Sequence, residues 1–97
     1  MTESDVIERP RIQGPGSGLG GAWRVIVLND DHNTFEGVAR ALARVLPGVS
    51  YEGGMKMANT IHSSGRAVVW TGQREPAELY WQQLSEAGLT MAPLDSG

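Results

Sequence analysis

Apolar residues in this chain gather into blocks of two different periods. Trp23 to Leu28 is rich in β-branched residues and apolar on both faces apart from Arg24, which predicts a strand. From Phe35 the apolar positions Phe35, Val38, Leu42, Val45 and Leu46 recur at helical spacing, with Glu36, Arg40 and Arg44 elsewhere around the turn. Pro47-Gly48 stops that helix. Ser50 is suited to cap a second one, and Glu52 suits the positive end of its dipole. Gly53 and Gly54 weaken this helix, yet Ala58, Ile61 and His62 fall on one of its faces before Gly65 ends it.

Ala67-Val68-Val69-Trp70 predicts a short second strand, with Gly72 turning out of it. Pro76 suits the first position of a third helix, whose apolar stripe is Ala77, Tyr80, Trp81 and Leu84 and whose stop is Gly88. Thr90-Met91-Ala92-Pro93-Leu94 reads as a third strand, which Pro93 places at a sheet edge or terminates. The order is β-α-α-β-α-β. Strands and helices do not alternate strictly, so the expected class is α+β: three helices packed on one face of a three-stranded, mainly antiparallel sheet.

Before Trp23 the pattern disappears. Residues 1–22 mix charges with Gly14-Pro15-Gly16-Ser17-Gly18-Leu19-Gly20-Gly21, a composition that buries too little apolar surface to offset the entropy of ordering it. A flexible extension is expected over 1–22 and a folded core over 23–95. Gly16 to Gly21 formally matches GxGxxG, but a dinucleotide fingerprint follows a strand and opens a helix, whereas this one precedes a strand.

Composition narrows the function. At 97 residues the chain holds one domain, whose small core favours a shallow surface pocket over a deep cavity. A net charge of -3, with basic residues scattered singly, argues against a nucleic-acid module. The absence of cysteine excludes disulfides, thiolate metal sites and a cysteine nucleophile. Glu3, Asp5 and Glu8 speak against a signal peptide, and no segment approaches the length of a transmembrane helix. A soluble cytoplasmic protein without cofactor is expected.

The most informative segment lies between the first strand and the first helix, where Asn29-Asp30-Asp31-His32-Asn33 puts five polar residues in consecutive places. One reading is helix capping by Asn33 or Thr34, with the aspartates favouring the N-terminal dipole. One residue suffices for that. The other reading is recognition of a cation: neighbouring carboxylates and an amide oxygen offer acceptors that match an ammonium with its three donors. His62 is either a packed residue satisfied by backbone or, if its helix lies beside this turn, a further acceptor in neutral form. Ala58 and Ile61 would then line an apolar hole next to it. A metal site is disfavoured because His32 and His62 lack ligand spacing and adjacent aspartates rarely aim at one ion. No Ser or Thr stands in a nucleophile context such as GxSxG, so an enzyme is not expected. Met55 and Met57 fill space. Trp23, Trp70, Tyr80 and Trp81 are most simply core, with Tyr80 open to a partner.

The run Val25-Ile26-Val27-Leu28-Asn29-Asp30-Asp31-His32-Asn33-Thr34-Phe35-Glu36, followed by Ile61-His62-Ser63-Ser64-Gly65-Arg66-Ala67, resembles the ClpS family. These proteins are adaptors that deliver N-end-rule substrates to Clp AAA+ proteases. The resemblance covers Trp23 to Leu94 and implies the same β-α-α-β-α-β fold. It implies that Asn29, Asp30, Asp31 and His62 hold a substrate's free α-amino group. Asn33, Phe35, Val38, Ala58 and Ile61 would shape the pocket for its first side chain, taken to be Leu, Phe, Tyr or Trp. Glu75 and Tyr80 would face the N-terminal domain of a ClpC or ClpA unfoldase, with the adaptor a monomer. The alternative is a small metal-binding or structural interaction module without N-terminal recognition. Phe35 and Ala58 stand where the best-known adaptors carry methionines, so pocket depth and width should differ. Tyr80 replaces a lysine that other members use towards the unfoldase. Together with the stretch from Val69-Trp70 to Leu94, it is more similar to the divergent second adaptors of cyanobacteria, which would work with ClpC.

Overall fold

β1 (Trp23–Leu28) is the centre of the sheet and pairs along both of its edges. The computed structural model describes residues 22–96; apart from Ala22, the expected flexible extension lies outside the described residues, as does the GxGxxG match. On one side β1 runs antiparallel to β2 (Arg66–Gly72), and on the other to β3 (Thr90–Met91) and β4 (Asp95–Ser96). β2 is longer than the four residues expected. Its register slips beside Val25 and Ile26, which pair with Trp70 and Val68. Such a bulge sets two residues against one, so consecutive Val69 and Trp70 both pack into the core.

The expected third strand is divided. Val27 pairs with Met91 and Leu28 with Thr90; pairing then lapses and resumes at Arg24 with Asp95 and Trp23 with Ser96. Pro93 is the reason, since it has no N–H to give a ladder. Ala92 still donates its backbone N–H to Ile26 at 3.1 Å, and its carbonyl accepts the Trp81 indole N–H at 2.7 Å. An Arg24–Asp95 ion pair fastens β4.

Three helices cover the sheet face that carries Val25 and Val27. α1 (Phe35–Val45) is capped by Thr34, whose Oγ1 accepts from the Gly37 N–H at 2.9 Å. α2 (Tyr51–Ser64) is capped by Ser50, whose Oγ accepts from the Gly53 N–H at 3.0 Å, and it closes on left-handed Gly65 (φ 88°). α3 (Arg74–Glu86) starts two residues earlier than expected, with Gln73 at the cap. Pro76 is tolerated there because the first intrahelical bond is Ala77 N–H to Gln73 carbonyl, one residue later. Leu42, Leu46, Ile61, Ala77 and Leu84 meet the two strand valines in one buried cluster.

Gly54 has a packing role that its low helix propensity conceals. A Cβ there would stand 2.6 Å from the Ala39 carbonyl oxygen and 2.9 Å from its Cα. α1 and α2 cross at backbone contact, and that closeness brings the first turn of α1 beside the last turns of α2. Among the described residues no helix is long and apolar enough to cross a membrane.

Candidate functional site

The acceptor-rich turn and the end of α2 are joined by one backbone bond. Asn29 donates its N–H to the Gly65 carbonyl at 2.9 Å. Because Gly65 is the αL residue that ends α2, the last turn, with Ile61 and His62, stands beside the exit of β1. Phe35, the first residue of α1, closes the arrangement from the other side. Its ring lies 5.2 Å from the His62 ring, tilted by 59°.

These elements enclose a cavity of about 200 Å³. Asn29, Asp30, Asp31, Asn33 and His62 line it, as do Phe35, Val38, Ala58 and Ile61. All nine residues singled out for amine or side-chain binding therefore border one space. Val27, Leu28, Thr34 and Leu89 line it as well and were not singled out as site residues in the sequence. Val27 and Leu28 were legible only as strand, and Leu89 comes from the far end of the chain. The inner wall is hydrocarbon: Val27, Val38, Ala58, Ile61 and Leu89 are all buried.

The two aspartates differ in what they are free to do. Asp30 is nearly enclosed, its side chain 12% exposed. Its Oδ1 accepts from the backbone N–H of His32 at 3.0 Å and of Asn33 at 2.8 Å. Its Oδ2 accepts from Asn33 Nδ2 at 2.7 Å and from Thr90 Oγ1 at 2.8 Å. Burial alone would raise the Asp30 carboxyl pKa, but these bonds from Asn33, Thr90 and His32 outweigh it and hold the group well below the ordinary 3.8. Four bonds fill the roughly four lone-pair sites of a carboxylate. Asp31 is fully exposed and accepts no hydrogen bond from the described residues; His32 Nδ1 lies 3.9 Å from its Oδ1. Capping falls to Thr34 alone. Asn33 instead ties Asp30 to the Gly88 carbonyl, which its Nδ2 reaches at 2.9 Å.

Glu75 and Tyr80 stand apart from the cavity, on α3. Glu75 is exposed in the first turn, and Leu79, one turn on along the same face, is an exposed large apolar residue. The Tyr80 ring packs edge-on against Trp70 at 4.9 Å. Among the described residues no three His, Asp or Glu side chains gather as a metal would need.

The geometry defines a small α+β domain with a cavity lined partly by hydrocarbon and partly by hydrogen-bond acceptors. The family described as "ATP-dependent Clp protease adaptor protein ClpS" matches residues 20–96. An ATP-dependent Clp protease adapter protein ClpS of Nostoc sp. is 53% identical over 74 residues, which is 76% of each chain. Its counterpart in Thermosynechococcus vestitus is 49% identical over 73 residues, 75% of this chain and 78% of the other. Among solved structures, Agrobacterium tumefaciens ClpS2 bound to L-phenylalaninamide superposes with a TM-score of 0.74 at 26% identity, covering 80% of this chain and 99% of that one. The chain belongs to the ClpS family of Clp protease adaptors.

Proposed function

We propose that this adaptor binds proteins by a free α-amino group and a large hydrophobic first side chain, and delivers them to a ClpC- or ClpA-type unfoldase. The observation that carries the reading is the pairing of unspent acceptors with a hydrocarbon socket. Asn29, Asp31 and His62 border the same cavity whose wall is Val27, Val38, Ala58, Ile61 and Leu89. An ammonium with three donors needs acceptors and nothing else, and a neutral imidazole, an amide oxygen and a carboxylate supply them. Asp30, whose carboxylate is fully engaged, supports the turn and leaves the ligand's charge to Asp31. The relative from Agrobacterium tumefaciens holds L-phenylalaninamide, which combines a free amine, a benzyl side chain and an amide in place of a continuing peptide.

The energetics suit a carrier. Burying a Leu or Phe side chain contributes about 1.5–3 kcal/mol, and each of three charge-assisted hydrogen bonds about as much. The gross is roughly 6–12 kcal/mol before association costs of several kcal/mol, so affinity should be on the order of micromolar. An adaptor must release what it carries. Glu75, with exposed Leu79 one turn further along α3, offers the unfoldase a mixed charged and apolar surface away from the cavity. The proposal is tested by fluorescence titration with peptides that differ only in their first residue. Leu, Phe, Tyr or Trp in that place should give binding, and Asp or Lys should not. Indifference to the first residue would refute it.

A further inference from the structure

Thr90 lies outside the cavity, yet its hydroxyl reaches the carboxylate that organises the cavity's mouth. It sits in β3 opposite Leu28, the residue that leads into the turn. Its Oγ1 donates to Asp30 Oδ2 at 2.8 Å, across 60 residues of sequence. The same oxygen accepts from Asn33 Nδ2, whose other hydrogen goes to the Gly88 carbonyl. Two long-range bonds, Thr90 to Asp30 and Asn33 to Gly88, thus fasten the turn to the corner between α3 and β3. Asn29 and Asp31 flank Asp30 in the chain, so any rotation of the Asp30 backbone re-aims both. Thr90 is thus bonded to the turn without lining the cavity itself.

We infer that Thr90 is a positioning residue for recognition of the substrate's α-amine, acting through Asp30. The inference rests on the amine-binding reading above. Hydroxyl and methyl are separable here: Thr90→Val keeps the β-branched shape and removes the donor, whereas Thr90→Ser keeps the donor and removes the methyl. Affinity is read by anisotropy of a labelled peptide with a free N-terminal Phe, with a thermal melt on each variant. Thr90→Val should bind about tenfold more weakly, the equivalent of one hydrogen bond to a charged group, and Thr90→Ser should stay within about threefold of the wild type. In carboxyl-carbon NMR titrations Asp30 should take up its proton at higher pH in Thr90→Val than in Thr90→Ser, a change that lost packing alone would not produce. Should Thr90→Val fail to fold, Thr90→Ala replaces it, since it differs from Thr90→Ser by the hydroxyl only; Ser should bind about tenfold tighter than Ala. Equal affinity of the folded variants with and without the hydroxyl, in a wild-type protein that distinguishes free from acetylated peptide, overturns this inference alone. A wild-type protein that ignores acetylation overturns the amine reading and this inference with it.

Discussion

The N–H of Asn29 and the carbonyl of Gly65 meet at 2.9 Å, and through that bond the two halves of the site share one frame. Gly65 has to adopt φ 88° for its carbonyl to be there, a conformation that side-chain-bearing residues rarely take. The acceptors after β1 and the imidazole at the end of α2 are therefore held by backbone geometry, not by each other.

Neighbouring glycines in α2 should respond in opposite directions to the same substitution. At Gly54 a Cβ meets the Ala39 backbone, so Gly54→Ala should destabilise by about 1–3 kcal/mol as the helices are forced apart. At Gly53 a Cβ meets only Ser50 Oγ at 3.4 Å and Val49 Cγ1 at 3.8 Å, ordinary contacts. Gly53→Ala should therefore stabilise by about 0.5–1 kcal/mol through helix propensity. Urea unfolding of both variants checks the pair.

Asp30 should make stability sensitive to acid. Its folded pKa is depressed below the ordinary 3.8, because the bonds from Asn33, Thr90 and His32 outweigh the opposing effect of burial. Between the two values the unfolded chain binds the proton more readily, so stability falls as pH falls. The contribution is complete above about pH 4 and is lost as pH drops through the depressed folded value. Asp30→Asn should cost about 1.5–3 kcal/mol at neutral pH, the scale of hydrogen bonds to a charged group. The gap to wild type should narrow below the ordinary value. Unfolding free energies of both proteins at a series of acid pH values provide the check.

His62 should matter to peptide binding through its imidazole, which lines the cavity. An imidazole nitrogen that accepts from an ammonium makes one charge-assisted hydrogen bond, so His62→Ala should weaken binding of the free-amine peptide about tenfold. His32 is exposed and does not line the cavity, so His32→Ala should leave affinity within about threefold of the wild type. A loss in the first variant with none in the second assigns the effect to His62. Titrations of both variants with the free-amine peptide measure it.

What could be read in the sequence was what local chemistry decides. The helical spacing from Phe35 to Leu46, a cap at Asn33 or Thr34, the cap at Ser50 and the stop at Gly65 depend on residues within a few positions, and the structure has them, with Thr34 as the cap. Even the start of α3 was misplaced only because a proline is allowed anywhere in the first turn. The rest depended on distant partners. The division of the last strand into β3 and β4 reflects how Pro93 falls against β1. The need for Gly54 appears only when Ala39 is beside it. Asn29, Asp30, Asp31 and His62 stood out together as acceptors near an apolar face, but the engagement of Asp30 within the turn needed Thr90, a residue with no motif of its own.

The central claim is that the socket recognises a free, charged amino terminus. Calorimetric titration with two peptides that begin with the same Phe, one free and one N-acetylated, addresses it directly. Acetylation removes the charge and two donors while leaving the first side chain unchanged. The free peptide should bind at roughly micromolar affinity and the acetylated one should give no measurable heat. Equal binding of both would contradict the account.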